Sequence, residues 1–141
     1  MLLLEFVVEG PPVSHQARDK DLLRDWRLRV RTAALQRWPS GQLPVRIYGL
    51  RIVVVFFHDG PMYRMDNDNM VKPIQDALQS LVYDDDEQIT DTIVRRRDLN
   101  APHRVRGMSP VMASGFATAR EFLYIRVDEA SDHAEPLLWL N

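Results

Sequence analysis

The chain contains no cysteine. That excludes a disulfide framework, thiolate-ligated zinc, iron–sulfur clusters and thiol catalysis. No run approaches eighteen consecutive apolar residues, so the sequence predicts no membrane span. The start, Met1-Leu2-Leu3-Leu4-Glu5, lacks the charged and long apolar regions of a secretory signal, and a cytoplasmic protein is expected. No internal repeat or low-complexity tract is visible. The chain also lacks the positive surplus common among nucleic-acid binders, since 18 Lys and Arg face 20 Asp and Glu.

The net charge of −2 hides a pattern. Residues 1–57 carry +4, residues 58–91 carry −7, residues 92–126 carry +5 and residues 127–141 carry −4. Such asymmetry says more about partners than the total does. The 141 residues suit one domain, 1–141, with 45% hydrophobic and 27% charged residues, as in ordinary globular chains.

Periodicity outlines the elements. Leu4, Phe6 and Val8 alternate with Glu5, Val7 and Glu9, which predicts a strand with one buried face, ended by Gly10-Pro11-Pro12. Leu22, Leu23, Trp26, Val30, Ala33, Ala34 and Trp38 recur at helical spacing over about residues 19–38, with Arg24, Arg27 and Arg31 on another stripe. Val45–His58 reads as one long strand, and the run Ile52–Phe57 as buried on both faces. A second helix is expected from about Asn69 to Leu81, with Pro73 in or just beyond its first turn. Gln88–Arg97 and Glu121–Val127 read as further strands. Residues 98–120 form a long connection in which Ser109-Pro110 suits the cap of a short helix. The expected order is β-α-β-α-β-β, an α/β (α+β) fold with two main helices and an acidic C-terminal tail, 128–141.

The acidic block carries the chemistry. Asp66, Asp68, Asp76 and Asp84-Asp85-Asp86-Glu87 crowd about twenty residues. Like charges repel unless something positive sits between them. A hard divalent cation with oxygen ligands, Mg²⁺ or Mn²⁺, suits that role. Asp66 and Asp68 flank a helix start, and Asp84–Glu87 precede a strand, so the two groups have a way to converge. Lys72 lies on one helix face with Asp76 and is placed to pair with it, with the other carboxylates or with a phosphate. Plainer readings stand beside this: Asp66 and Asn69 as helix caps, Asp84–Glu87 as a solvated turn, and Arg95–Arg97 as a charged strand edge. An EF-hand is excluded because Val71 stands where that loop needs glycine. His58 and His103 are isolated and are not expected to bind metal.

Together, Asp66-x-Asp68-Asn69-x-x-Lys72-x-x-x-Asp76-Ala77-Leu78 and Asp85-Asp86-x-Gln88-Ile89 resemble the signature of the RusA family of Holliday junction resolvases. The resemblance covers roughly residues 4–98, including the turn after the first strand. It implies a single RusA-like domain with a mixed sheet, assembled as a homodimer. The implied activity is that of a Mg²⁺-dependent crossover junction endodeoxyribonuclease, with Mn²⁺ as a substitute. Its partner is four-way junction DNA. By the match, Asp66, Asp68 and Asp86 take the metal-binding places, Asp85 is their acidic neighbour, and Lys72 takes the place of the essential lysine. Asp76 matches a family position and is read as structural. Basic residues must offset these acids on DNA. Arg95 and Arg97 on one strand face, Arg104 and Arg106 in the long connection, Arg18 and Lys20 after the first turn, and Arg64 beside Asp66 are the expected phosphate contacts. Two rivals remain on the same residues: a structure-selective or non-specific DNA nuclease, and a non-catalytic, metal-stabilised DNA-binding module.

Overall fold

Four strands make one mixed sheet in a computed structural model that describes residues 1–60, 65–102 and 105–130. The strands are β1 (Leu2–Glu9), β2 (Leu50–His58), β3 (Ile89–Asp98) and β4 (Phe122–Glu129), in the order β1-β4-β2-β3. β4 runs antiparallel to both β1 and β2, whereas β2 and β3 are parallel. A parallel pair needs a crossover, and α2 (Asn67–Leu78) lies in it. The fold is mixed α+β. Arg64, His103, Arg104 and the tail from residue 131 onward lie outside the described residues. Among those described, no helix is long and apolar enough to cross a membrane.

The main core lies between one sheet face and two helices. α1 (Lys20–Leu35) turns Trp26, Val30 and Ala34 inward, and α2 adds Met70, Ile74, Ala77 and Leu78. They meet Leu4, Phe6 and Val8 of β1, Leu50, Ile52, Val54 and Phe56 of β2, and Leu123, Ile125 and Val127 of β4. The alternation expected in β1 is what the sheet buries. Leu22, placed on the buried stripe of α1 by its spacing, is instead exposed. Arg31 reaches from α1 to donate hydrogen bonds to the carbonyls of Ala77 (3.0 Å) and Gln79 (2.9 Å). A cation at a helix C-terminus satisfies orphan carbonyls and opposes the helix dipole.

Three expected boundaries change. The predicted strand over Val45–His58 is broken at Gly49, whose φ of 100° is open chiefly to glycine; only Leu50–His58 joins the sheet. α2 runs from Asn67 to Leu78 and not from Asn69 to Leu81, so Pro73 stands inside the helix and not in its first turn. Proline has no N–H for the carbonyl four residues back, that of Asn69. The backbone N–H of His15 donates to that carbonyl at 2.9 Å, which ties the loop after β1 to α2. Third, the 98–120 connection contains α3 (Pro110–Ala117), so the order is β-α-β-α-β-α-β. Ser109 caps α3, its hydroxyl accepting from the Met112 N–H at 3.1 Å, and Pro110 occupies the first turn.

α3 covers part of the second sheet face. Val111 packs with Val55, Phe57, Phe122 and Tyr124. This is why the Val55–Phe57 end of β2 is buried on both faces, while Val53 is half-exposed. Phe57, Phe116 and Phe122 have ring centroids 4.7–5.1 Å apart. A Cβ added at Gly115 would clash with the Phe122 ring. Further along the same face, Asp128 accepts two hydrogen bonds from Arg51 (3.0 and 2.6 Å) and one from Arg126 (3.2 Å). Burial pushes the Asp128 carboxyl up, but the two guanidiniums outweigh it and hold it below its ordinary value.

Gly115→Ala is expected to destabilise the fold by about 1–3 kcal/mol through overpacking, read as a lower urea midpoint. Asp128 has a lowered folded-state pKa, so its stabilisation is present above the ordinary value of 3.8 and is lost as pH falls through the lowered one. Asp128→Asn should therefore destabilise near neutral pH. Its deficit against the parent should shrink as the pH drops below about 4, in thermal melts run across a pH series.

Candidate active site

The start of α2 presents two carboxylates to solvent. Asp66 occupies the N-cap position with extended backbone, yet its side chain accepts no capping hydrogen bond. Asp68 lies in the first turn, where the helix dipole favours negative charge. Both are exposed, and neither takes part in an ion pair among the described residues. The capping role open to Asp66 from sequence is thus not used by its side chain.

One turn on, Lys72 reaches two acids. Its Nζ lies 2.9 Å from Asp76 Oδ1 and 3.1 Å from Asp86 Oδ2. The hydrogen bond to Asp76, then that to Asp86, raises the Lys72 pKa above the ordinary lysine value. Conversely, the Lys72 ammonium holds the Asp86 carboxyl below the usual carboxylate range. These two acids hold Lys72 as a cation near neutral pH. An ammonium has three N–H donors, so one remains for a ligand.

The placement of Asp86 is set by its neighbours in a 3₁₀ turn, Asp86–Gln88. The Asp85 carboxylate accepts from the Glu87 N–H at 3.0 Å, so Asp85 caps the turn. Gln88 uses both ends of its amide. Its oxygen accepts from the N–H groups of Asp84 and Asp85 (2.9 and 3.0 Å), and its nitrogen donates to the carbonyls of Val45 and Ile47 (2.9 and 3.0 Å). Adjacent aspartates thus have different duties: Asp85 shapes the turn and Asp86 faces Lys72.

Behind the pair lies Tyr83, fully buried, its hydroxyl donating to the Gln75 carbonyl at 2.6 Å. Burial, with the nearby Asp86 and Asp76 charges, pushes the phenol well up. It stays protonated and is no nucleophile. In front, Asp68 and Lys72 line an open cleft of about 460 Å³ with His15, Asn69, Gln75 and Thr92. His15 Nδ1 is buried without a hydrogen-bond partner among the described residues.

The structure thus joins Lys72 to Asp76 and Asp86, and sets Asp68 and Lys72 on one cleft. It does not gather Asp66, Asp68, Asp85 and Asp86 into one ligand cluster. Among the described residues, no three His, Asp or Glu side chains stand close enough to hold a metal. Of the expected phosphate contacts, Arg18 and Lys20 are exposed at the entry to α1, in the same connection as His15. Arg95 and Arg97 do share a strand face, but it is the face away from the cleft. Thr92 pairs with Ile52, on the helix side of the sheet, while Arg95 and Arg97 pair with Val55 and Phe57, on the α3 side. Arg106 lies with them, and Arg64 and Arg104 fall outside the described residues. Sequence reasoning missed His15, Tyr83 and Thr92. No local signal marks them, because each is placed by a distant partner: the Asn69 carbonyl, the Gln75 carbonyl and the pairing of β3 with β2.

Gln88→Ala removes four hydrogen bonds to backbone and should destabilise the protein by about 1–3 kcal/mol in urea unfolding. Gln88→Glu should not restore it, because a carboxylate cannot donate to the Val45 and Ile47 carbonyls.

No curated protein matches the chain. A family model described as endodeoxyribonuclease RusA matches residues 13–106, two-thirds of the sequence. The matched span runs from the His15 loop through α1, β2, α2 and the 3₁₀ turn to β3, and it includes Asp66, Asp68, Lys72, Asp76 and Asp86. The chain belongs to the RusA family of endodeoxyribonucleases.

Proposed function

We propose that the protein is a divalent-metal-dependent endonuclease that resolves four-way DNA junctions in recombination and repair, acting as a homodimer. Family membership carries this reading, and the matched span holds Asp66, Asp68 and Asp86 together with Lys72, which pairs with Asp86 and shares a cleft with Asp68. The reaction is phosphodiester hydrolysis: water adds to phosphorus, the bond to the 3′-oxygen breaks, and that oxygen leaves with a proton.

The donor chemistry suits Mg²⁺, or Mn²⁺ in its place. All candidate donors are carboxylate oxygens, and Asp66 spends none of them on the helix cap. Asp66, Asp68 and Asp86, the acids at the family positions, would hold the ion once their carboxylates draw together around it, with Asp85 shaping the turn that presents Asp86. Such a cation, when bound, offsets the charge of the phosphodiester and acidifies water. Lys72 contributes a second, permanent positive charge. Asp76 and Asp86 orient its ammonium, and the remaining N–H is available to the charge that grows on the phosphoryl and leaving oxygens. Arg18 and Lys20 lie near enough in the chain to the cleft's His15 to contact flanking phosphates. A two-fold dimer would place two such sites on strands of like polarity across a symmetric junction.

Asp68→Asn is expected to abolish cleavage of a mobile four-way junction while junction binding is kept or tightened, in gel assays with and without Mg²⁺. Lys72→Ala should cost about 100–1,000-fold in rate. Undiminished cleavage by Asp68→Asn, or by metal-free protein, would sink the proposal. Equal cleavage of flaps and linear duplex would favour the non-specific nuclease.

A further inference from the structure

The second basic group lies on the other face of the sheet from the cleft. Arg95 and Arg97 of β3 share with Arg106 a pocket of about 430 Å³. Among the described residues its walls include Pro102, Val105, Met112 and the buried Val55 and Phe57, but no acidic residue. Arg97 donates to the Arg96 carbonyl at 2.8 Å, and none of the three guanidiniums takes part in an ion pair among the described residues. Three like charges held around one hollow repel, and an anion relieves that repulsion. The guanidinium fork matches phosphate oxygens two at a time.

Phosphates alone have no use for an apolar floor. The outside of a duplex offers only phosphate and sugar at such a site, because its bases are stacked away from the backbone. An unpaired strand offers phosphate and a free base together, and bases lie readily on apolar side chains. We propose that this pocket binds an unpaired nucleotide of a DNA strand, with Arg95, Arg97 and Arg106 on its phosphates and the base against Pro102, Val105 and Met112.

The topology suits a strand that passes from one site to the other. β3 is an edge strand. Thr92 borders the cleft on one face, and Arg95 and Arg97 border the pocket on the other, roughly 10–17 Å along the same strand. A flexible single strand can cross that edge; a stiff duplex cannot fold around it. This link between the sites rests on the nuclease reading, whereas the pocket's own affinity does not.

The test uses the full chain without divalent metal, so that no cleavage interferes. A fluorescein-labelled oligo(dT) and a duplex of equal length are titrated by anisotropy across a salt series. Arg106→Ala should weaken the single strand about tenfold, lower its salt slope by about 0.7, and change duplex affinity far less. Met112→Ala, which removes part of the floor and no charge, should weaken the single strand about three- to tenfold with an unchanged slope. Equal weakening of both probes by Arg106→Ala, with no effect of Met112→Ala, would reduce the pocket to a plain phosphate patch and overturn the proposal. So would absence of single-strand binding by the parent. Arg106→Ala should weaken the single strand by the same factor in the parent and in Asp68→Asn, whether or not Asp68→Asn abolishes metal-dependent cleavage, so the two readings fail separately.

Discussion

The ammonium of Lys72 stands between the carboxylates of Asp76 and Asp86, at 2.9 and 3.1 Å. Each acid alone could sit in water; together and half-buried they need a positive charge between them. One acid belongs to α2 and the other to the 3₁₀ turn before β3, so the ion pair also fastens a helix to a strand start. The Gln88 amide carries the connection on to Val45 and Ile47, ahead of β2. Charge and scaffold therefore cannot be varied independently here. A substitution at Asp86 would leave the lysine to Asp76 alone and remove its tie from α2 to the turn at once.

The local part of this was legible in the sequence. Alternation identified β1 and β4, the apolar run identified β2, and spacing identified α1 and put Lys72 and Asp76 on one face. What was not legible depends on contacts across the chain. The start of α2 was misplaced because Pro73 argues against a helix interior, and nothing nearby says that His15 will satisfy the carbonyl it strands. The alternation of Arg95, Arg96 and Arg97 was readable, but which side faced the cleft was not. That follows from the parallel register of β3 on β2. The difference between Asp85 and Asp86 was equally hidden, since it is a matter of which carboxylate folds back onto the turn.

The Lys72 site and the cluster of Arg95, Arg97 and Arg106 lie on opposite faces of the sheet. Asp76 and Asp86 pair with Lys72 beside the helix-covered face. Arg95, Arg97 and Arg106 gather on the face that α3 partly covers, where Phe57, Phe116 and Phe122 anchor the helix. A net charge of −2 averages these away. What a polyanion meets is the local arrangement, because charges more than about 8–10 Å apart are largely screened at physiological salt.

The hydrogen bond from His15 to Asn69 has a use beyond holding a loop. It is a bond that α2 cannot make for itself, contributed by a segment outside the helix. The His15 amide is thus protected from solvent exchange only while the second turn of α2 keeps its shape and the loop stays docked on it. That turn carries the cleft. A single amide proton far away in sequence therefore works as a gauge of whether the acids and their lysine are in register, and it can be followed without any substrate present.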